Sequence, residues 1–257
     1  IDLLSFTGST PIGISSMELA AKTLKPCLLE LGGNDAFIVL ADADLDLAVS
    51  EAIAGRLLFS GQVCCASKRF LVHNSVRETF TNKLITALES VVCGDPLDPA
   101  VQVAPVINEE AAKKIEEQVN RIIEQGGRLL LGGKRNGTFF EITVLTDVPP
   151  TSDVAKDEEI FGPVIPIIGF DTTQEAISIA NASSYGLNSC VFSSNASEAM
   201  TVAYAMQAGT AVINGSGLFR SNEMPFGGHK RSGLGTEGTL TSLEECSQLK
   251  TIVLKNI

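Results

Sequence analysis

The sequence predicts an α/β fold built on a parallel sheet with helical crossovers. Three observations carry this expectation. Apolar runs of strand length alternate along the chain with longer segments of helical periodicity. Glycine and proline punctuate most of the changeovers. The composition, 44% hydrophobic and 19% charged over 257 residues, is that of an ordered chain with a sizeable core in one or two domains.

The elements are read in order. Residues 1–6 form a strand. Thr10 caps and Pro11 begins a helix that runs to about Leu24 and is stopped by Pro26. Strands follow at 27–31 and 36–40, on either side of Gly32-Gly33. A helix over 42–59 starts among Asp42, Asp44 and Asp46, a solvated cluster that suits the dipole, and ends before Gly61-Gln62-Val63-Cys64. Residues 70–72 make a short strand. Asn74 or Ser75 caps the next helix, whose apolar face is Phe80, Leu84, Ala87, Leu88 and Val91. Ile115, Val119, Ile122 and Ile123 mark a helix over 109–125, closed by Gly126-Gly127. Strands at 128–131, 139–148 and 163–170 precede a helix at 176–182, a strand at 190–193, a helix at 198–207 and a strand at 210–214. The glycine-rich stretch 227–238 is the expected crossing between domains. The tail 249–255 is β-rich, the kind of edge that pairs with another chain.

The net charge of −11 and a pI near 4.7 argue against nucleic acid and membrane surfaces as partners. No apolar run reaches the roughly 20 residues of a membrane helix, and no signal peptide is visible. The chain starts Ile1-Asp2-Leu3-Leu4, without methionine and as if inside a strand, so a piece of a longer polypeptide is expected. Cys27, Cys64, Cys65, Cys93, Cys190 and Cys246 are scattered apart from the adjacent pair, with no CxxC. That pattern suits a reducing, cytoplasmic setting and offers no zinc site. His73 and His229 are too isolated to be metal ligands, so no metal is expected.

Four places carry potential chemistry, and each also has an ordinary structural explanation. Cys64 follows Gly61-Gln62 at a helix-to-loop transition with Lys68 and Arg69 nearby, where positive potential activates a thiol; a small buried hydrophobe is the plain alternative. Glu30 emerges from a buried strand, which raises a carboxyl toward a useful base, unless it is a solvated strand end. Gly8-Ser9-Thr10 joins strand to helix and is either an anion site or a capped turn, since a full GxGxxG is absent. Residues 158–163 (EEIFGP) are suited to hold a ribose and press on a flat ring, or simply lead into the next strand.

Together and in this order, FTGSTPIG at 6–13, LELGG at 29–33, GQVCCASKR at 61–69, EEIFGPV at 158–164 and PFGGHKRSGLGTEG at 225–238 resemble the aldehyde dehydrogenase superfamily, from the first residue to the last. The resemblance implies an aldehyde dehydrogenase-like catalytic domain, a partial Rossmann-like cofactor domain and a C-terminal oligomerisation strand. It implies oxidation of a small aldehyde to an acid with NAD or NADP. Cys64 is then the nucleophile, Glu30 the base that activates the hydrolytic water, and Glu237 a proton relay. Gly8 and Ser9 contact the cofactor pyrophosphate, Leu31 and Gly32 lie beside the cofactor, Glu159 holds the nicotinamide ribose and Phe161 lies against it. The Cys64 backbone N–H supplies half of an oxyanion hole.

By the same resemblance, residues 1–29 are a remnant of the cofactor domain, 30–231 the catalytic domain, 232–245 a return segment and 246–257 the oligomerisation strand of a homodimer or homotetramer. The family's N-terminal half is missing; if the chain stands alone from Ile1, cofactor binding is expected to be weak and dehydrogenase activity slight. The segment is similar to succinate-semialdehyde dehydrogenases, but where those carry an arginine this chain has Leu58. Arg220 and Phe226 fall on the loop that lines the family's substrate tunnel, where Arg220 either pairs with an anionic tail or is a surface arginine. A cofactor-independent thiol esterase and a non-catalytic assembly piece are the competing readings.

Overall fold

The structure, a computed structural model, describes residues 1–256. Strand β1 (Leu4–Thr7), helix α1 (Thr10–Ala21) and strand β2 (Cys27–Glu30) come first. Then follow β3 (Asp35–Val39), α2 (Leu45–Leu57), a tight turn at Leu58–Gly61, β4 (Ser67–His73), α3 (Asn74–Leu88) and α4 (Glu109–Glu124). The middle of the chain holds β5 (Arg128–Leu131), β6 (Arg135–Asn136), β7 (Phe139–Phe140), β8 (Thr143–Thr146), α5 (Asp153–Lys156), β9 (Val164–Phe170) and α6 (Thr173–Asn181). The last part holds β10 (Tyr185–Gly186), β11 (Asn188–Phe192), α7 (Ala196–Ala205), β12 (Thr210–Ile213), β13 (His229–Lys230), β14 (Gly233–Leu234) and α8 (Thr239–Glu245).

The expected α/β class holds. Seven strands form the main sheet in the order β12-β11-β3-β4-β9-β8-β5. Every neighbouring pair from β12 to β8 is parallel; β5 runs antiparallel to β8 at the edge. Helices cover both faces, so the central strands are near-continuous apolar runs. Alternate residues serve opposite layers: Ile38, Leu71, Ile168 and Val191 join α4, α6 and α7, whereas Phe37, Phe70, Ile167 and Cys190 join α2 and α3. The ring of Phe37 stacks on Phe192 at 4.5 Å and tilts on Phe70 at 5.0 Å.

A second, three-stranded sheet has the order β1-β2-β14, with β14 antiparallel to β2. It brings Leu29 and Glu30 against Leu234 and Gly233, in the stretch expected to cross between domains. The boundary expected after residue 29 falls inside β2, because Glu30 pairs with Thr7 and Gly233 in this sheet.

Several local expectations are corrected. Ser9, not Thr10, is the N-cap of α1; Thr10 is helical and its hydroxyl donates to Arg231 O at 3.2 Å. The same helix stops at Ala21, since Leu24 takes a left-handed backbone. His73 caps α3, its Nδ1 accepting from Ser75 N at 3.2 Å. Asp42 is not part of a solvated helix start; it accepts from Ser193 Oγ and Asn195 N, while Asp44 caps α2. The strand expected over 139–148 is two pieces, β7 and β8. Residues 247–256 form neither helix nor strand within the chain and expose Leu249, Ile252, Val253 and Leu254. A strand needs a hydrogen-bonding neighbour, and none lies beside this tail among the described residues. No helix among those residues is long and apolar enough to cross a membrane.

Candidate active site

The site starts with a turn that the helical periodicity did not foretell. Helix α2 ends at Leu57 because Phe59, Ser60 and Gly61 adopt φ of 50°, 58° and 76°. Three left-handed residues in succession reverse the chain sharply. Gly61 is required here, since a Cβ would strike Gly162 O as well as strain the backbone. Side chains lock the turn: Ser60 Oγ donates to Ala104 O at 2.7 Å, and Gln62 Nε2 donates to Phe59 O at 3.0 Å while its Oε1 accepts from Ile107 N at 2.9 Å. The chain then delivers Val63, Cys64 and Cys65 to the N-terminal end of β3, just ahead of β4, with Cys64 O close to Gly33.

Cys64 and Cys65 are both half-buried. A thiolate at Cys64 is favoured by a hydrogen bond from the Cys65 thiol and by the Lys68 ammonium, against the cost of burial. The same hydrogen bond drives Cys65 upward, so the two thiols are unequal. Of the two flanking cations, only Lys68 serves the thiol. Arg69, expected to help, is buried and turned away, donating to Asn34 O, Ala155 O, Ile179 O and Ala180 O at 2.6 to 3.0 Å.

Glu30 ends β2 and is 8% exposed. Its Oε2 is buried without a hydrogen-bond partner. Burial first, then the Glu237 carboxylate and a Cys64 thiolate, push its carboxyl up from 4.5 to about 8, with Arg220 opposing. That is a carboxyl poised to take a proton near neutral pH. Glu30, Arg220 and Glu237 line one cavity. Arg220 does not reach free into it: Nη2 lies 3.0 Å from Glu237 Oε2, and the guanidinium sits 4.1 Å from the centre of the Phe226 ring. Phe226, expected to face substrate, is 8% exposed beneath that arginine and exchanges backbone hydrogen bonds with Glu237. Leu58 is half-exposed on the turn before Cys64.

The opposite side of Cys64 holds Glu159. Its Oε1 accepts from Gly33 N at 3.0 Å and lies 3.2 Å from Lys68 Nζ. Its Oε2 packs so closely on Gly32 that any Cβ there would collide with it and with Tyr185. Phe161 is half-exposed, 5.4 Å from the Lys68 ammonium. Arg56, fully buried, anchors this loop by donating to Val164 O at 2.7 Å and Ile160 O at 2.9 Å.

At the start of α1, the N-cap Ser9 makes no side-chain capping bond. Gly8 is less available than expected, because its N–H donates to Glu30 O at 3.0 Å. Leu31 packs its side chain over Gly13. Ser9, the Gly32 surface, Glu159 and Phe161 are the residues that could hold a cofactor, being of the kinds that suit a sugar and a flat ring. The residues that sequence reading missed are Lys68 as a buried cation, Arg56, and Asp35, whose Oδ2 is buried and unpartnered. Charged residues inside apolar runs were the only signal for them.

A sequence model described as "Aldehyde dehydrogenase family" matches residues 1–252. Lactaldehyde dehydrogenase of Methanococcus maripaludis is 42% identical, over 100% of this chain and 54% of its own length. Succinate-semialdehyde dehydrogenase [NADP(+)] GabD of Escherichia coli is 41% identical, over 96% of this chain and 52% of its own. The crystal structure of glyceraldehyde-3-phosphate dehydrogenase GapN from Methanocaldococcus jannaschii, complexed with NADP, superposes with a TM-score of 0.95 at 40% identity, covering 100% of this chain and 55% of that one. The chain spans about half the length of the curated relatives it matches.

Proposed function

Because this chain belongs to the aldehyde dehydrogenase family, we propose that it carries the chemical centre for NAD(P)-dependent oxidation of a small aldehyde to its carboxylic acid. The observation that supports this most is the unequal treatment of two groups: Cys64 is favoured as thiolate while Glu30 is held up at about 8.

The Cys64 thiolate attacks the aldehyde carbon, and the carbonyl electron pair moves onto oxygen as the S–C bond forms. The Cys64 backbone N–H stabilises that oxyanion. Bound NAD(P)+ supplies the hydride acceptor that converts the adduct into a thioester. Glu30 then takes a proton from water, the hydroxide adds to the thioester carbon, and the Cys64 thiolate leaves. Glu237 passes the proton from Glu30 toward the cavity. Ser9, Gly32, Glu159 and Phe161 hold the cofactor.

Substrate choice falls on the Arg220 side. The Glu237 carboxylate already engages the guanidinium, so an anionic substrate tail must compete with it. This favours a short uncharged aldehyde, and Leu58, half-exposed on the turn that precedes Cys64, adds no charge to oppose it. The sheet β1-β2-β14 with α1 belongs to the cofactor half, and the catalytic half starts at the Gly32-Gly33 pair. The exposed apolar tail adds a strand to a second copy, giving a homodimer or homotetramer. Six free thiols suit a cytoplasmic setting.

Absorbance of NAD(P)H formed by the full-length protein with a panel of short aldehydes tests the reading. Turnover that Cys64→Ser abolishes is expected. Turnover that survives this substitution, or none with any aldehyde while Cys64 stays reactive, overturns it.

A further inference from the structure

Lys68 plays no part in the steps above, yet its side chain is only 1% exposed. Its ammonium gathers oxygens from two stretches of chain. It donates to Val63 O at 3.1 Å and to Cys64 O at 2.5 Å, and it lies 3.2 Å from Glu159 Oε1. An unpartnered buried cation is costly, so these oxygens hold the side chain in one place. The consequence lies in peptide geometry. The Val63 carbonyl and the Cys64 N–H belong to one planar trans peptide, and they point in opposite directions. Whatever grips Val63 O therefore aims the Cys64 N–H.

We propose that Lys68 is a positioning residue: by holding Val63 O and Cys64 O against Glu159, it aims the Cys64 N–H at the oxyanion and ties the nucleophile to the cofactor-binding carboxylate. The tie to the cofactor rests on the dehydrogenase reading; the aiming of the N–H does not. Lys68 sits at the second residue of β4, where the main sheet fixes its backbone, while the left-handed turn at Phe59–Gly61 leaves the Cys64 segment outside any sheet. Without the ammonium, two carbonyls and a carboxylate face one another, and the peptide is free to rotate.

Two electrophiles separate this role from simple support. Acylation by p-nitrophenyl acetate passes through an oxyanion as the thiolate adds to the carbonyl and expels p-nitrophenolate. Alkylation by iodoacetamide displaces iodide at a saturated carbon and needs no oxyanion donor. Neither uses aldehyde or NAD(P)+, so failure of this inference is distinct from failure of the dehydrogenase reading. In Lys68→Met both reactions slow at pH 7, and acylation falls about tenfold further than alkylation. Equal falls, or no fall, overturn the proposal. If Lys68→Met does not fold, Lys68→Arg decides: it keeps the positive charge, so alkylation stays within about twofold of wild type, while the planar guanidinium cannot hold Val63 O and Cys64 O as one ammonium does, so acylation falls severalfold further. Equal effects on the two reactions overturn the proposal.

Discussion

Arg220 and Glu237 form an ion pair at 3.0 Å that faces Glu30 across one cavity, with the guanidinium laid on the Phe226 ring. The two charges act on Glu30 in opposite senses: Glu237 raises its carboxyl and Arg220 lowers it. Arg220→Ala therefore moves the pH midpoint of ester hydrolysis to higher pH, and turnover at pH 7 falls by about threefold. Glu237→Gln moves the midpoint to lower pH, unless its loss as a relay dominates, which would appear as a lower plateau at high pH. Steady-state pH profiles of the two variants check both. The same Arg220→Ala protein should lose little specificity for uncharged aldehydes.

Burial of Glu30 has a stability signature as well as a kinetic one. The folded chain holds this proton up to about 8, whereas the ordinary value is 4.5. Folding therefore favours the protonated form, so the contribution is complete below pH 4.5 and is lost as pH rises through about 8. Glutamine carries no such penalty. Glu30→Gln should melt with wild type near pH 5 and above it at pH 9, by on the order of 2 kcal/mol or about 5 °C. Thermal melts at the two pH values read this directly.

Gly32 is constrained by Glu159, not by its own backbone. A Cβ there meets Glu159 Oε2 and the Tyr185 ring. Gly32→Ala should displace the carboxylate and raise the KM for NAD(P)+ by about tenfold, a loss of roughly 1.4 kcal/mol. Iodoacetamide alkylation of Cys64 should persist, because the thiol and Lys68 stay in place.

Arg56 holds the loop that carries Glu159 and Phe161. It makes two hydrogen bonds from a fully buried guanidinium to Ile160 O and Val164 O. Arg56→Met should destabilise the chain by about 3 kcal/mol, given roughly 1.5 kcal/mol for each bond from a charged donor. Denaturant titration measures the loss.

How much of this was legible before the structure depended on the physical signal. Apolar periodicity gave the strands of the main sheet and most of the helices, since burial writes itself into spacing. The strand at 128–131 was legible, but its antiparallel place at the sheet edge was not, and the short strands β10, β13 and β14 left no trace, because pairing partners are distant in sequence. Cys64, Glu30 and Glu159 were legible through their motifs. The left-handed turn at Phe59 and Ser60 was not, since neither residue type announces a positive φ. Lys68 and Arg69 read alike as flanking cations; only the fold sends one to the nucleophile and the other to the carbonyls of Ala155, Ile179 and Ala180. The packing of Phe226 beneath Arg220 was not legible in the sequence.

In the proposed reaction Cys64 captures a carbonyl and Glu30 releases it with water. Intact-mass spectrometry of the Glu30→Gln protein after brief exposure to p-nitrophenyl acetate tests it most directly, followed by peptide mapping. One stable acetyl group per chain is expected, on Cys64, with slow release that shows no titration step near pH 8. An acetyl group on Cys65, or an adduct that Glu30→Gln sheds as fast as wild type, would contradict it.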